Sequence, residues 1–437
     1  MPVDSCIVDN SASAAAADHS ALRIGLLGLG QVGTAVTAHT RARGSRGRPL
    51  TVAAALVRDP ASRARPEGVD VVTSVADVFE RRPDVIVEVL GGIEPARTLL
   101  LEAIARRIPI VTANKSLLAH CGDELFEAAR AGRVPLRCEA SVIAGLPFLA
   151  PVARRHHVRS SLVSLTGIVN GTTNFVLSRM AGTGADYDAA LDEARRRGFA
   201  EPDPTNDVQG IDALEKLVVL LRQLAQVSVD PRAIEVDGIA AVTADDLRRA
   251  RELGGTIKPI VHAAWAAGRL EAFAGPAFVP SGDPLAHLEG VANGLVLRDR
   301  SGHSLLFAGP GAGPDVTAAT ILDDVVEALD GTGDGRAEAG HDDREPVVRQ
   351  RATSPSTAWL LTLSGSPALP PGAEISDLLG SFGVWIERTG RERRDGVDSV
   401  ALLTYGCPRD RIDAAARALE SAARCRVSAL RALRGDA

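Results

Sequence analysis

The chain has 437 residues, of which 45% are apolar and 24% are charged, and its net charge is -6. Such a length and composition predict a globular protein of two or three domains with a large core. The acidic net charge argues against a nucleic-acid-binding protein. The lack of an arginine-rich run interleaved with aromatic residues argues the same way. No uninterrupted apolar stretch approaches the roughly 20 residues of a membrane-spanning helix.

The N-terminus and the cysteines indicate where the protein resides. Residues 1–20 are rich in Ala and Ser, carry three aspartates and lack the basic start of a signal peptide, so they predict a disordered leader. The five cysteines are scattered and form no CxxC pair. We therefore expect a reducing, cytoplasmic location.

A glycine motif follows the first predicted strand. The run Leu22–Gly33 reads LRIGLLGLGQVG, an apolar strand that passes into a GxGxxG turn and then a helical pattern. In this context the motif predicts a site for NAD or NADP, because the glycines let the backbone approach the pyrophosphate at a helix N-terminus. The alternative is a tight turn without a ligand. The predicted contacts are Gly28, Leu29, Gly30, Gln31, Val32 and Gly33.

The next strand ends in two charged residues. We predict this strand over Thr51 to Val57, followed by Arg58 and Asp59. An acid at this position usually binds the ribose hydroxyls of NAD, whereas an arginine accommodates the additional phosphate of NADP. Because Arg58 comes first, we favour NADP over NAD.

Two further strand ends are expected at the ligand edge of the sheet. The segment Asp84–Ala96 contains a buried-strand pattern that ends in Gly91-Gly92, with Leu90 and Gly91 as expected cofactor contacts, and Lys115 lies just beyond another strand. Ligands of open parallel sheets bind beyond the carboxyl ends of the strands. The chain contains three lysines, whereas its other 46 basic residues are arginine, which favours a functional role for Lys115 over a solvated one.

Polar groups also stand out within two apolar stretches. Glu139 lies in Cys138–Leu149 and requires a cation, a metal or backbone N–H groups as a partner. In Thr166–Met180, a predicted strand ends in a turn that carries Asn170 and Thr172, and these side chains could hydrogen-bond a zwitterion. The alternative is a capped helix start, since Asn and Thr are common N-caps.

The segment Glu201–Leu217 concentrates the candidate catalytic groups. Its sequence, EPDPTNDVQGIDALEKL, carries several carboxylates, among them Asp207, before an apolar helical pattern. Asp212 and Lys216 are four residues apart, so they share a helix face beside the apolar stripe. The alternative is an exposed ion pair that contributes about 0.2–0.5 kcal/mol.

The remainder of the chain predicts further elements of both classes. We expect helical segments to about Ala267 and then alternating strands. Residues 309–329 form a glycine-rich turn and an amphipathic helix, which either returns to the nucleotide or only connects two parts of the chain. Residues 331–356 predict a linker. From 357 onward, the order strand, helix, strand, strand, helix, strand is typical of a ferredoxin-like α+β module.

Seven of these motifs, in this order, resemble the homoserine dehydrogenase family over about residues 22–330: GLGQVG, VEVLGGIEPA, TANKSLLA, EASVIAGLP, GIVNGTTNF, GFAEPDPTNDVQGIDALEKL and GPGAG. The resemblance implies an α/β protein with a Rossmann nucleotide-binding domain and an α+β central substrate and dimerisation domain. It also implies the NAD(P)-dependent interconversion of L-homoserine and L-aspartate 4-semialdehyde in threonine and methionine biosynthesis, by a homodimer.

The resemblance also assigns roles to individual residues. It places the proton-transferring lysine at Lys216, the homoserine-binding acids at Glu201 and Asp212, and a cofactor-contacting lysine at Lys115. Positions near the nicotinamide fall on Gly198 and Gly313. A monovalent cation, sodium or potassium, is expected largely on backbone oxygens of Glu139, Val142, Ala144 and Leu146. We add Asp207, Asn170 and Thr172 as substrate contacts.

The C-terminal module resembles an ACT domain, which in many relatives binds an amino-acid effector. Its usual Asp-Arg-Pro-Gly turn is replaced by SGSPALPPGAEIS. The expected divisions are a leader (1–20), a nucleotide domain (21–145, completed by about 309–330), a catalytic and dimerisation domain (146–308), a linker (331–356) and the ACT-like domain (357–437). Two other interpretations stay open: a related dehydrogenase of another amino-acid aldehyde or alcohol, and a catalytically silent amino-acid sensor.

Overall fold

The computed structural model describes residues 21–40, 44–45, 47–60, 66–266, 269–330, 348–353, 355–366, 369–394 and 396–433. The predicted leader and residues 331–347 of the predicted linker lie outside these ranges. Within them, none of the helices combines the length and the apolar character of a membrane span.

The N-terminal part of the chain forms a twisted sheet with helices. Its elements are β1 Leu22–Leu27, α1 Gln31–His39, β2 Gly44–Ser45, β3 Arg48–Leu56, β4 Asp70–Val72, α2 Val75–Glu80, β5 Val85–Glu88, α3 Ala96–Ala105, β6 Ile110–Thr112, α4 Lys115–Gly132 and β7 Leu136–Arg137. The strand order is β2-β3-β1-β5-β6-β7, with β4 beside β3. Apart from the β2–β3 hairpin, the pairs are parallel. This is the predicted Rossmann-type fold, and β1 is apolar because both faces of its sheet are covered.

The central part combines helices with an antiparallel sheet. Its elements are α5 Leu149–Arg154, α6 His156–Ser161, β8 Leu162–Ile168, α7 Gly171–Thr183, α8 Tyr187–Arg196, α9 Thr205–Val208, α10 Ile211–Leu220, β9 Val227–Ser228, β10 Glu235–Val236, α11 Ala244–Glu252, β11 Gly255–Ala266, β12 Arg269–Pro280, β13 Ala292–Asp299 and β14 Ser304–Pro310. The sheet runs in the order β14-β13-β8-β11-β12. Helices α7 and α10 are the elements that carry its polar residues to the nucleotide domain.

The prediction of helical segments to about Ala267 is wrong. Helix α11 ends at Glu252, and β11 follows from Gly255. The alanines near the end of this segment have a high helix propensity. In the folded chain, however, β11 pairs with β12 along its whole length and with β8 from Val261 to Ala264. Pairing on both sides overrides the local preference.

Helix α12, Pro314–Asp330, returns to the nucleotide-binding sheet. Its buried face, which includes Ile321, Leu322 and Val325, belongs to the same core as Ile24 and Val36 of β1 and α1. The chain therefore crosses back from the central sheet before it continues to the C-terminal part. This path places the turn at residues 309–313 over the open side of the parallel sheet.

The C-terminal part has the predicted order of elements. Two short strands, β15 Val348–Arg349 and β16 Ala352–Thr353, occupy part of the predicted linker and pair with β9 and β12. They precede β17 Ala358–Ser366, α13 Gly372–Ser381, β18 Ile386–Arg394, β19 Val397–Thr404, α14 Arg409–Ala423 and β20 Arg426–Ala432. The strand order β20-β17-β19-β18 is that of a ferredoxin-like sheet.

A buried charge cluster joins the C-terminal part to the central sheet. Strand β20 pairs in parallel with β12, and the side chain of Arg431 is only 1% exposed. Arg431 binds Asp237 at 2.6 Å and also contacts Glu235, while Arg409 of α14 binds the same two acids. A buried arginine requires such partners, because an unpaired buried charge is strongly unfavourable.

Candidate active site

A cleft of about 1250 Å³ opens between the carboxyl ends of the parallel strands and the helices α7 and α10. It collects predicted residues that are far apart in the chain: Gln31, Val32, Leu90, Gly91, Lys115, Ala144, Asn170, Thr172, Gly198, Glu201, Asp207, Asp212, Lys216 and Gly313. The other predicted residues are also described but do not line it: Gly28, Leu29, Gly30, Gly33, Arg58, Glu139, Val142 and Leu146.

The glycine turn at one end of the cleft is sterically restricted. Gly28 has φ of +106°, in the region that favours glycine. A Cβ atom on Gly33 would lie 2.3 Å from the carbonyl oxygen of Gly28. Gly30 is the N-cap of α1, and this fully described helix has neither a side-chain cap nor an acidic residue in its first turn. Its amide groups are therefore available to phosphates, and the turn fits a dinucleotide.

Leu29 belongs to this turn, and Arg58 follows the strand to which the turn is bonded. The amide of Gly28 donates to the carbonyl of Leu56 at 3.1 Å, which ties the turn to the end of β3. Arg58 is exposed just past that strand. Leu29 is 3% exposed and packs into the core beneath the turn, so it offers a ligand only its backbone.

Glu88, which the sequence reasoning missed, supports the second turn of the cofactor end. Its buried carboxylate accepts hydrogen bonds from the Leu90 amide at 2.8 Å, the Thr112 hydroxyl at 2.6 Å and the Asn114 amide group at 3.2 Å. Burial raises the pKa of Glu88, and these hydrogen bonds oppose the rise. Asn114 also donates to the carbonyl of Gly92 at 2.7 Å. The glycine turn after β5 is thus fixed to the end of β6.

Asp212 is the centre of the charged group in the cleft. Its side chain is 8% exposed, and its two oxygens bind Lys216 Nζ at 2.8 Å and Lys115 Nζ at 3.1 Å. Burial alone would raise the pKa of Asp212, but the two ammonium groups hold it well below its usual range. The same attraction raises the pKa of Lys115, partly offset by burial. Lys216 also donates to the carbonyl of Val169 at 2.8 Å. The predicted Asp212–Lys216 contact is therefore a largely buried ion pair with a second lysine.

Asn170 connects two carboxylates of this group. Its amide nitrogen donates to Asp207 at 2.7 Å and to Asp212 at 2.8 Å, and its oxygen caps α7 by accepting from the Thr173 amide. Asn170 is therefore the predicted helix cap, and its amide group lies between two carboxylates of the cleft. The pKa of Asp207 is raised, first by burial and then by the neighbouring Asp212.

Glu201 and Thr172 lie at the mouth of the cleft. Glu201 is exposed and lines the opening. The hydroxyl of Thr172 donates to the carbonyl of Phe199 at 2.6 Å, so it holds the turn that carries Gly198. The hydroxyl proton of Thr172 is therefore used within the protein, but its oxygen can still accept a hydrogen bond.

The expected cation segment lies behind the cleft. The carboxylate of Glu139 accepts from the amides of Leu149 at 3.0 Å and Ala150 at 3.2 Å, the first turn of α5. The carbonyl of Ala144 accepts from the Thr320 hydroxyl at 2.6 Å. No cluster of three or more His, Cys, Asp or Glu side chains suited to a metal occurs in the described ranges. Any cation in this segment would depend mainly on backbone oxygens.

Several cleft residues carried no sequence signal that we recognised. Asn293 is 1% exposed and donates to the carbonyl of Ile168 at 3.1 Å, and Val291 beside it is 40% exposed. Ser116 donates to Glu215 at 2.6 Å and so joins α4 to α10. All of these contacts link segments that are distant in the chain, which a local pattern does not reveal.

Family models match the two parts of the chain that form this cleft. Residues 28–139 match the model described as homoserine dehydrogenase, NAD binding domain. Residues 147–326 match the model described as homoserine dehydrogenase. The two matches meet at the cleft, one on its cofactor end and one on its lysine and carboxylate end.

Individual proteins are similar over most of their length. A homoserine dehydrogenase of Synechocystis is 36% identical over 70% of this chain and 73% of its own. The crystal structure of a homoserine dehydrogenase from Thiobacillus denitrificans superposes with a TM-score of 0.84 at 31% identity, covering 95% of this chain and 98% of its own. A hyperthermophilic archaeal homoserine dehydrogenase mutant in complex with NADPH matches with a TM-score of 0.60 at 25% identity over 70% of this chain and 97% of its own. The chain belongs to the homoserine dehydrogenase family and is an NAD(P)-dependent oxidoreductase.

Proposed function

We propose that the protein interconverts L-homoserine and L-aspartate 4-semialdehyde with NAD(P). The observation that carries this proposal is the contact of Asp212 with both Lys216 and Lys115 in a cleft whose other end is a dinucleotide turn. A carboxylate and two ammonium groups suit a substrate that has a carboxylate, an ammonium and a hydroxyl. When bound, the nicotinamide supplies the carbon that accepts or donates the hydride.

In this proposal Lys216 transfers the proton of the substrate hydroxyl. The alcohol proton must leave as the hydride leaves, so the oxidation requires a base and the reduction requires an acid at the same oxygen. Lys216 is fixed for this task by Asp212 and by the carbonyl of Val169. Lys115, whose side chain is 36% exposed, is accessible to the substrate carboxylate or the nicotinamide ribose.

The acids of the cleft would bind the substrate ammonium. Glu201 lines the mouth, and Asp207 and Asp212 are held together by Asn170. We assign Glu201 and Asp212 as the principal ammonium ligands, with Asp207 and Asn170 beside them and Thr172 as an acceptor. Asp212 would therefore contact the substrate and orient Lys216 at the same time.

We propose NADP as the preferred cofactor. The support is Arg58, an exposed guanidinium immediately beyond β3, next to the glycine turn. An arginine can bind the ribose 2′-phosphate bidentately, whereas NAD offers no such group. The remaining cofactor contacts would come from the turns at residues 28–33 and 90–91, from Lys115, and from Gly198 and Gly313 near the nicotinamide.

We further propose a sodium or potassium ion near Glu139. Carbonyl and carboxylate oxygens are the donors that hard cations prefer. The backbone oxygens of Glu139, Val142, Ala144 and Leu146 offer such donors, and Ile143 adopts a positive φ of +46° within this segment. Ala144 lines the cleft, so an ion here would stabilise its floor.

A homodimer is proposed from the free edge of the central sheet. Strand β14 ends the order of described strands, and Leu305 and Leu306 on it are 43% and 49% exposed. An edge strand with exposed apolar side chains favours association with a second copy.

For the C-terminal part we propose an ACT-like domain with a possible amino-acid effector, supported by its ferredoxin-like strand order. The domain limits given for the sequence are retained as proposals. We also propose a cytoplasmic location, which is supported by the free thiols of Cys121, Cys138, Cys407 and Cys425.

The proposed reaction is tested by a steady-state assay with the purified protein. L-homoserine is offered with NAD or NADP in separate reactions, and the absorbance of the reduced nicotinamide is followed. We expect turnover with both cofactors and a higher kcat/KM with NADP. A folded protein that binds nucleotide but oxidises homoserine with neither cofactor would refute the assignment, and a panel of related amino-acid alcohols would then identify the substrate.

A further inference from the structure

The third lysine of the chain, Lys258, has no place in the charged group of the cleft. It lies on β11, is 3% exposed, and donates from Nζ to the carbonyl of Leu288 at 2.7 Å. A buried ammonium is costly unless it is hydrogen-bonded. Almost all other basic residues of the chain are arginine. The hydrogen bond from this buried lysine to the carbonyl of Leu288 therefore suggests that the carbonyl must be held in place.

The carbonyl of Leu288 opens the segment that leads into β13. We call residues 288–293 the wall loop. Val291 and Asn293 of this loop line the cleft, beside Asn170 and Thr172. The carbonyl oxygen of Val291 lies 2.9 Å from the position that a Cβ on Gly171 would occupy, so the loop lies directly against the start of α7. A shift of the wall loop would therefore move one side of the substrate end.

A second buried side chain holds the same loop. Asn174 is fully buried in α7, and its amide nitrogen donates at 3.0 Å to the carbonyl of Leu288 and at 3.0 Å to that of Ala292. Asn174 and Lys258 thus share one acceptor from two sides. Glu289, on the loop, favours the charged form of Lys258, while burial lowers the pKa of this lysine. Donors from α7 and β11 hold the Leu288 end of the loop, and Asn174 of α7 also holds Ala292.

Lys258 does not reach the reacting groups. It borders a separate cavity of about 200 Å³ with Arg251, Ser178 and His287, and this cavity shares no lining residue with the cleft in the part of the chain that the structure describes. Water in such a polar cavity can satisfy the remaining N–H groups of the ammonium. Any effect of Lys258 on substrate must therefore pass through the wall loop.

We propose that Lys258, together with Asn174, is a positioning residue that holds the wall loop so that Val291 and Asn293 form one side of the amino-acid substrate site. This inference rests on the proposed function for the identity of the substrate. It predicts that Lys258 controls substrate affinity while the Kd of the cofactor changes little, because Val291 lies against Gly171 at the start of α7 and the glycine turn is formed by residues 28–33.

The test compares Lys258→Met with the full-length wild-type protein. We expect the KM for L-homoserine to rise about tenfold, as for the loss of a charge-assisted hydrogen bond, with a smaller change in kcat. The Kd for NADPH, measured by its fluorescence, should be unchanged. Hydrogen exchange should accelerate at the amides of residues 288–293 and remain at the wild-type rate in β11 and β12.

Arg251→Met is the matched control. Arg251 is a cation of the same cavity, but it contacts the carbonyl of Ala181 instead of the wall loop. It should leave KM and the loop exchange unaltered. Asn174→Ala removes the other donor to the wall loop. It replaces Lys258→Met as the test variant if Lys258→Met does not fold. The double variant should be non-additive, because both donors share the carbonyl of Leu288.

An unchanged KM with unchanged loop exchange in both variants would overturn the proposal. So would faster exchange throughout the central sheet with a lower Tm and weaker NADPH binding, because these changes indicate a general structural role. Failure of the proposed function is a different result: the wild type would not oxidise homoserine, while loop exchange in Lys258→Met would still decide whether Lys258 holds the loop.

Discussion

The two ends of the cleft are built by different means. At the cofactor end, the glycine turn presents backbone amide groups, and Gly28 and Gly33 are required because larger residues would not fit. At the substrate end, side chains carry the chemistry, and Asp212 is bound by lysines from two different helices. The first end depends on local backbone shape, and the second depends on long-range contacts. Substitutions should therefore affect cofactor binding at one end and turnover at the other.

Lys216→Met should have the largest effect on turnover. Removing the proposed proton-transfer group is expected to lower kcat by about 10²–10⁴-fold. The Kd for NADPH should remain close to that of the wild type, because the glycine turn is unaltered. Stopped-flow or steady-state kinetics combined with NADPH fluorescence would measure both quantities. Near-normal turnover in a folded variant would exclude Lys216 as the proton-transfer group.

Gly33→Ala should weaken cofactor binding, which Lys216→Met leaves intact. The added Cβ would meet the carbonyl oxygen of Gly28 at 2.3 Å, so the turn must shift. Overpacking of this kind typically costs about 1–3 kcal/mol, and a cost of this size in the bound turn corresponds to a loss of cofactor affinity of about 5- to 150-fold. Titration with NADPH would measure it. Gly182→Ala is the matched control, because Gly182 is an exposed residue of α7 at which a Cβ would meet nothing within 4 Å, and it does not line the cleft. If Gly33→Ala bound NADPH normally, the turn would not be the pyrophosphate site.

Arg58→Ala should change cofactor selectivity at the same end. Loss of a charge-assisted contact to the 2′-phosphate is expected to reduce kcat/KM for NADP about tenfold, with little change for NAD. Arg106→Ala, at the exposed arginine that follows α3 and pairs with Glu102, should leave the ratio unaltered. An equal decrease for both cofactors would mean that Arg58 does not contact the phosphate.

The sequence predicts the cofactor end more completely than the substrate end, because the first depends on local backbone shape and the second on long-range contacts. GLGQVG contains the turn, its steric restriction and the start of α1 within a few residues, so the pattern alone specifies the local structure. The Asp212–Lys216 contact also follows from helical spacing. The approach of Lys115 to Asp212 does not, because it depends on how α4 packs against α10.

The elements that the sequence missed depend on tertiary pairing. Glu88 was missed although a carboxylate within the apolar run of residues 85–90 requires a partner, as Glu139 does; its carboxylate joins the ends of β5 and β6. Strand β11 lies within the stretch to about Ala267 that was predicted as helical, and its pairing with two neighbouring strands decides otherwise. Asn174 and Asn293 act on carbonyls more than 100 residues away. Local periodicity carries no information about such partners.

The smallest expected effect is on thermal stability. It concerns the contact of helix α12 with the segment at residues 139–146, where we propose a cation. Asp324 of α12 is 4% exposed and accepts from the amide of Glu139 at 2.9 Å. Burial, and then the charge of Glu139, raise the pKa of Asp324 well above its usual value of 3.8. The unfolded chain therefore ionises first as the pH rises. Asp324 is neutral in both states below about pH 3.8, and it increasingly destabilises the folded state as the pH rises from there towards its folded-state pKa.

Asp324→Asn should remove this penalty, since an amide oxygen can still accept from Glu139. We expect the Tm to rise by about 2 °C or more at pH 7, the shift that corresponds to about 1 kcal/mol in a large domain, and the gain to shrink towards pH 4. Asp323→Asn, the exposed neighbour on the same helix, should show neither change. A variant destabilised at pH 7, with the loss shrinking towards pH 4 and below, would mean that the carboxylate is ionised and partnered in the folded protein. That result would favour a cation bound between Glu139 and Asp324 over a proton, and dependence of the wild-type Tm on sodium or potassium would then distinguish the two.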